Sequence, residues 1–359
     1  TESGQMLNAE ILAEGGDQYF IVDGQLDRII SLEGKTYQFT DDAGQDISTS
    51  TPLTAEESAY RDQLISQSLA YFQEVVGIDA ATGLPFDHID ENGNRALYTQ
   101  PTAVGFYFQI LGSILENGTD TAGLTVQAAF NAIIKGLETL TQMQTDVGWN
   151  GLLPFTNLQK PGAVYTSYGN IVGFGDNANL SQSLAILIGS LEKIKTDPRF
   201  NQSQVTAVIN QAEDFLAAQA AGYHAFFDES SGLFRRSVNR MTGVFDQFDG
   251  QTALNDRLMN EFRTGVAFVL TRYDFANPAR AWNSLLTVKR YYEDQNSKAV
   301  LTAVPFDGGA FQMFWPLLRA EQELTPELKA ALWNYLYAAA DFARQNGLNG
   351  VPQDRGVVF

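Results

Sequence analysis

The chain has 359 residues, 44% of them hydrophobic and 18% charged, a balance that buries a core and excludes disorder. A formal net charge of −19 excludes nucleic acid as a partner, because phosphate backbones are held by clustered Lys and Arg. With no Cys, disulfides, thiolate metal sites and a Cys nucleophile are excluded as well.

The opening TESGQMLNAE carries neither an initiator Met nor an apolar signal core and reads as a processed or trimmed start. QYFIVDG, RIISLEG and KTYQFTDD are short β-type runs broken by Gly and Asp, so residues 1–52 are expected to form a small β-type segment or arm. A Ser/Thr-rich linker, ISTSTPLTAEE, then leads into a helix, with Thr54 as N-cap and Glu57 as its capping-box partner. Residues 53–359 read as one all-α domain, with helices predicted over 54–77, 101–117, 121–145, 177–196, 203–220, 252–272, 278–294, 309–323 and 325–346 and almost no strand between them. No apolar run reaches the roughly 18 residues that a bilayer span needs.

The helix in GFGDNANLSQSLAILIGSLEK is apolar on every side, so it belongs inside a large structure, with Asp176 at its mouth. Short connections such as ENGTDTAG alternate with long ones, 146–176 and 221–251. That alternation suggests helical hairpins in a ring with the long loops gathered at one end. Those loops carry Trp149, Phe155, Tyr165, Tyr168 and Phe174 in one, and Tyr223, Phe226, Phe227, Phe234, Phe245 and Phe248 in the other. Aromatic faces of this kind are what the apolar face of a sugar ring packs on.

His88 and His224 are too few for a metal site and sit in no ligand spacing, and DENGNRA at 90–96 lacks the terminal acid of a calcium loop, so it reads as an Asn-Gly turn. No nucleophile elbow, Walker or dinucleotide fingerprint is visible. What remains is a set of acids beside aromatics and glycines: Asp87, Asp176, Asp246, Asp249, Glu261 and Asp307. Two carboxyls are the minimum equipment for glycoside hydrolysis, one to protonate the leaving oxygen and one to activate water or attack carbon. Structural roles stand beside that chemistry: Asp176 as a helix N-cap, Glu261 as a first-turn acid or a partner of Arg257 or Arg263.

Four segments, GLPFDHID, GFGDNANLSQSLAILIGSL, MNEFRTGVAFVL and FDGGAFQMFWPLLRAEQ, resemble the bacterial glucoamylase-like group that includes the endo-β-1,2-glucanases of glycoside hydrolase family 144. The resemblance spans about residues 55–355 and departs from the group at RYDFANP and GVPQDRG. It implies an (α/α)6 toroid preceded by the small β-type appendage, and a glycosidase cutting a neutral polysaccharide, a β-glucan with β-1,2-glucan favoured. It points to Glu261 and Asp176 as the catalytic acids, Glu261 holding the proton and Asp176 orienting water or a sugar hydroxyl. Asp87, Trp149, Tyr165, Tyr168, Phe174, Asp246, Asp249, Asp307 and Trp315 are then expected to contact substrate. A polysaccharide lyase, with Tyr165, Tyr168, His224, Arg235 and Arg236 to draw on, and a non-catalytic glycan-binding protein are the alternatives on the same ring. None of these mechanisms calls for a cofactor. A polymer substrate implies a secreted or periplasmic protein.

Overall fold

A computed structural model describes residues 20–22, 28–30, 54–73, 76–118, 124–293, 299–305, 309–318 and 326–346. The chain packs as two compact units, one of residues 55–256 and 264–285, the other of residues 1–54, 257–263 and 286–359.

The larger unit holds α1 (Ala55–Ala70), α2 (Pro101–Asn117), α3 (Val126–Val147), α4 (Phe174–Ile194), α5 (Gln202–Ala217) and α6 (Ala220–Phe226). It also holds all but the first residue of α7 (Arg263–Arg272), and α8 (Pro278–Asn283). Each long helix starts and stops on local chemistry. Pro101 opens α2, where its missing N–H costs nothing, and Gly118 closes it in the left-handed conformation at φ 65°. The Thr125 side chain accepts from the Ala128 N–H to cap α3, and Asn201 accepts from the Gln204 N–H to cap α5. The short links after α2 and α4 fold α3 and α5 back as the second arms of two helical hairpins.

The first arms of those hairpins lie side by side. Gly105 faces Ser183 and Gly112 faces Ser190, the same seven-residue step on both helices, so α2 and α4 run parallel with their N-termini at one end. A Cβ on Gly105 would come within 2.8 Å of Ser183 Oγ and 3.0 Å of the Leu180 Cα, so the missing side chain is what allows the close approach. Around this seam lies the unit's main core, with Phe108, Leu111, Phe130, Ile133, Leu137, Leu184 and Leu187 fully or almost fully buried. Helix α4 is buried along most of its length, with Gly189, Glu192 and Lys193 exposed near its C-terminal end.

Strands are far more frequent than the sequence suggests. Ile78–Asp79 pairs with Leu84–Pro85, Tyr98–Thr99 with Thr156–Asn157, and Ile171–Gly173 with Ser237–Asn239. Leu233–Arg235 is flanked by Phe227–Asp228 and Leu254–Asn255, and Gln247–Phe248 pairs with Gln251–Thr252. Strands of two or three residues are too short to show an alternating pattern, which is why the segments read as loops.

In the smaller unit Phe20–Val22 pairs with Arg28–Ile30, within two of the β-type runs expected; KTYQFTDD lies outside the described residues. Lys289–Glu293 and Ala299–Ala303 form a five-residue antiparallel pair where the sequence predicts the end of a helix over 278–294. Alongside come α9 (Ala310–Phe314), a 3-10 turn at Trp315–Leu318 and α10 (Pro326–Gln345). Met259, Ala303, Met313, Leu332 and Tyr335 form their core.

The helix predicted over 252–272 begins only at Arg263. Ahead of it the Asn260 side chain accepts from the Phe262 N–H at 2.9 Å, a side-chain turn that fixes residues 260–262 outside the helix. Helix α1 likewise ends at Ala70 rather than near residue 77.

Candidate active site at the N-terminal ends of α2 and α4

Strand pairing aligns the first wall of the site. The Asp87 N–H donates to the Tyr98 carbonyl at 2.9 Å, Tyr98–Thr99 pairs with Thr156–Asn157, and the Tyr168 N–H donates to the Phe155 carbonyl at 2.7 Å. The ladder brings three rings into register: Tyr98 lies flat on Tyr168 at 3.9 Å with an interplanar angle of 3°, and parallel to Phe155 at 6.1 Å. The Tyr168 ring is the outer one, 53% exposed. From the same stack the Tyr98 hydroxyl donates to Asp87 Oδ2 at 3.0 Å, and His88 Nδ1 meets that oxygen at 2.8 Å. Burial, reinforced by the bond to Asp87, pushes the Tyr98 hydroxyl up to about 12. Tyr71 is likewise pushed up to about 12, by burial first and by the Asp87 charge second, and its hydroxyl donates to the Phe86 carbonyl.

The second wall is the first turn of α4. The strand Ile171–Gly173 runs straight into the helix, and the Phe174 N–H donates to the Arg236 carbonyl. Because Gly173 is the N-cap and Phe174 the first helical residue, Asp176 lies inside the first turn and is not the N-cap that its sequence position also allowed. Its side chain bonds across to the neighbouring helix instead: Thr102 Oγ1, in the first turn of α2, donates to Asp176 Oδ1 at 2.8 Å. Asn179, one turn along α4, donates through Nδ2 to Thr102 Oγ1 at 3.2 Å. Next to Asp176, Asn177 is fully buried and fully bonded, accepting from the Leu153 N–H and donating to the Leu153 and Gly173 carbonyls. That amide ties the loop carrying Phe155 to the helix carrying Asp176.

Burial raises the Asp176 carboxyl above the usual carboxylate range, and the nearby Asp87 charge raises it further, while the Thr102 hydrogen bond pulls the other way. The result is a carboxyl that keeps its proton to higher pH than an ordinary aspartate, near one bonded to a tyrosine and a histidine. A buried carboxyl with a raised pKa is a candidate for proton-transfer chemistry.

Of the residues expected from the sequence, the larger unit brings together Asp87, Asp176 and Tyr168. Phe174 is fully buried against Phe234 at 4.3 Å, and Tyr165 is buried with Lys160 Nζ over its ring at 4.1 Å. The Trp149 ring stands edge-on to Phe226 and Phe245. Asp246 pairs with Arg236 at 2.7 Å, and Asp249 occupies the turn between two paired strands at φ 50°. Glu261 belongs to the smaller unit, in the turn before α7, beside a fully buried Arg263 that donates to the Met313 carbonyl. Trp315 lies in that unit too, against Phe311 at 4.7 Å, and Asp307 is outside the described residues. DENGNRA is the turn expected, with Asp90 accepting from the Asn92 and Asn94 N–H groups. Sequence reasoning missed Tyr98, Thr102 and Asn179. The i, i+3 spacing of Asp176 and Asn179 was a usable signal for one of them.

No protein-family model matches the sequence, and no curated protein matches it. Solved structures do share its fold. An endo-beta-1,2-glucanase from Talaromyces funiculosus, in complex with sophorose, superposes with a TM-score of 0.67 over 82% of this chain at 13% identity. A mutant of that glucanase with beta-1,2-glucan gives 0.65 at 12% identity over the same share. The endo-beta-1,2-glucanase from Chitinophaga pinensis, with sophorotriose and glucose, gives 0.57 over 82% of this chain and 69% of its own, at 12% identity. The chain spans 65% of the length of the Talaromyces chains. At such identities the likeness is one of fold.

Proposed function

We propose that the protein is a glycoside hydrolase acting on a neutral β-glucan, with β-1,2-glucan the favoured substrate, and that its helices close into an (α/α)6 toroid. The observation that carries this reading is Asp176, a carboxyl with its pKa raised by burial at the shared N-terminal end of two parallel helices, near Asp87 and a tyrosine stack. The fold shared with three glucanase structures supports the substrate class.

In this reading Asp176 gives its proton to the leaving glycosidic oxygen as the C–O bond breaks. Water adds to the anomeric carbon, and a second carboxylate takes the proton that water loses. The role proposed here for Asp176 is the proton donor's, which the sequence reading gave to Glu261. The exposed face of Tyr168 takes a sugar ring.

The test is a panel of neutral α- and β-glucans, β-1,2-glucan included, scored for new reducing ends and for ultraviolet absorbance of unsaturated ends. Reducing ends without that absorbance support hydrolysis. Absorbance would mean a lyase, and binding without either product would mean a glycan-binding protein.

A further inference from the structure

We propose that Thr102 is the positioning residue of Asp176: by donating to Oδ1 it leaves Oδ2 as the oxygen that carries the exchangeable proton, on the side that Gly173 keeps open. This rests on the reading of Asp176 as the acid. A threonine hydroxyl has one proton to give and two lone pairs to accept with. Asn179 Nδ2 donates to Thr102 Oγ1 at 3.2 Å, so the amide spends one of those lone pairs and the single proton is directed to Asp176 Oδ1 at 2.8 Å. With Oδ1 an acceptor, the proton of the neutral acid sits on Oδ2. A Cβ at residue 173 would come within 3.0 Å of that same oxygen, so a glycine there leaves the proton-bearing side clear.

The arrangement is fixed from both helices. Thr102 and Asn179 are both buried, one in the first turn of α2 behind Pro101, the other a turn beyond Asp176 on α4. As Asp176 gives up its proton, the same Thr102 donor stabilises the carboxylate that forms, with no rearrangement. Asp87 is the ionisable group whose charge reaches Asp176, and it is itself bonded to His88 and Tyr98. On the strand side, Arg236 is paired with Asp246, and from α7 it is Gly265 that meets α4, at Ala178.

The experiment is a titration by NMR of the full chain labelled with 13C-carboxyl aspartate, the Asp176 signal being assigned by its loss in Asp176→Asn. Thr102→Val keeps the shape and removes the donor; its Asp176 midpoint should lie above that of the wild type, and Thr102→Ser should restore the wild-type midpoint. A midpoint that is unchanged or lower in Thr102→Val overturns the proposal, since Thr102 would then not be donating to the carboxylate. If the valine variant does not fold, Thr102→Ala carries the same prediction. On β-1,2-glucan, Thr102→Val should lose roughly 10- to 100-fold in kcat with KM little changed, and Thr102→Ser should recover it. A wild type that cuts no glucan overturns the hydrolase reading, and the titration still decides the hydrogen-bond order.

Discussion

At the level of one residue, the stability that Asp176 contributes depends on its protonation. Its carboxyl binds a proton more tightly folded than unfolded, because burial disfavours its charge. Folding therefore benefits from Asp176 fully only below its unfolded pKa, and that contribution is lost as pH rises through the raised folded value. Asp176→Asn keeps the Thr102 bond and removes the titration, so thermal denaturation should find the variant more stable than the wild type at neutral pH, with the gap closing in acid. An unchanged gap across pH would contradict the raised value. At Tyr168 the expectation concerns binding rather than stability. Its ring is exposed and stacked on Tyr98, so Tyr168→Ala should leave the fold intact and raise KM for a glucan by up to about tenfold, the equivalent of an aromatic contact of about 0.5–1.5 kcal/mol.

At the scale of elements, the parallel seam of α2 and α4 sets where Thr102 meets Asp176. Gly105→Ala would ordinarily improve a helix, yet here the added methyl meets Ser183 and the Leu180 backbone. We expect a loss of about 1–3 kcal/mol in chemical denaturation, the usual range for overpacking. The long helices were legible because their apolar residues recur over several turns: the predicted 101–117 matches α2, and 203–220 and 325–346 fall within a few residues of α5 and α10. Lys289–Glu293 was misread because RYYE carries no alternation and its partner lies beyond a connection, so a helix and a hairpin look alike in sequence. At residues 252–262 the spacing of Ala253, Leu254, Leu258 and Met259 suits a helix, but the Ala253 N–H and C=O pair with Asp246 and Arg236. Asp176 stood out as a lone acid before an apolar helix. Its partner Thr102 could not, since a contact across 74 positions leaves no local trace.

For the molecule as a whole, the charge suits the neutral substrate proposed above. A chain with a net charge of −19 repels polyanions, and the structures that share its fold include glucanases solved with neutral sugars. If the substrate is neutral, turnover should change less than about twofold between low and physiological salt, because there is no substrate charge to screen. A steep salt dependence would point to a charged polymer instead.

The most direct measurement is release of reducing ends from β-1,2-glucan by the wild type and by Asp176→Asn at matched concentration, with circular dichroism to establish that both are folded. The wild type should show clear release and the variant a loss of about 10²- to 10⁴-fold, the contribution of a positioned general acid. A folded Asp176→Asn that cuts as fast as the wild type would contradict it.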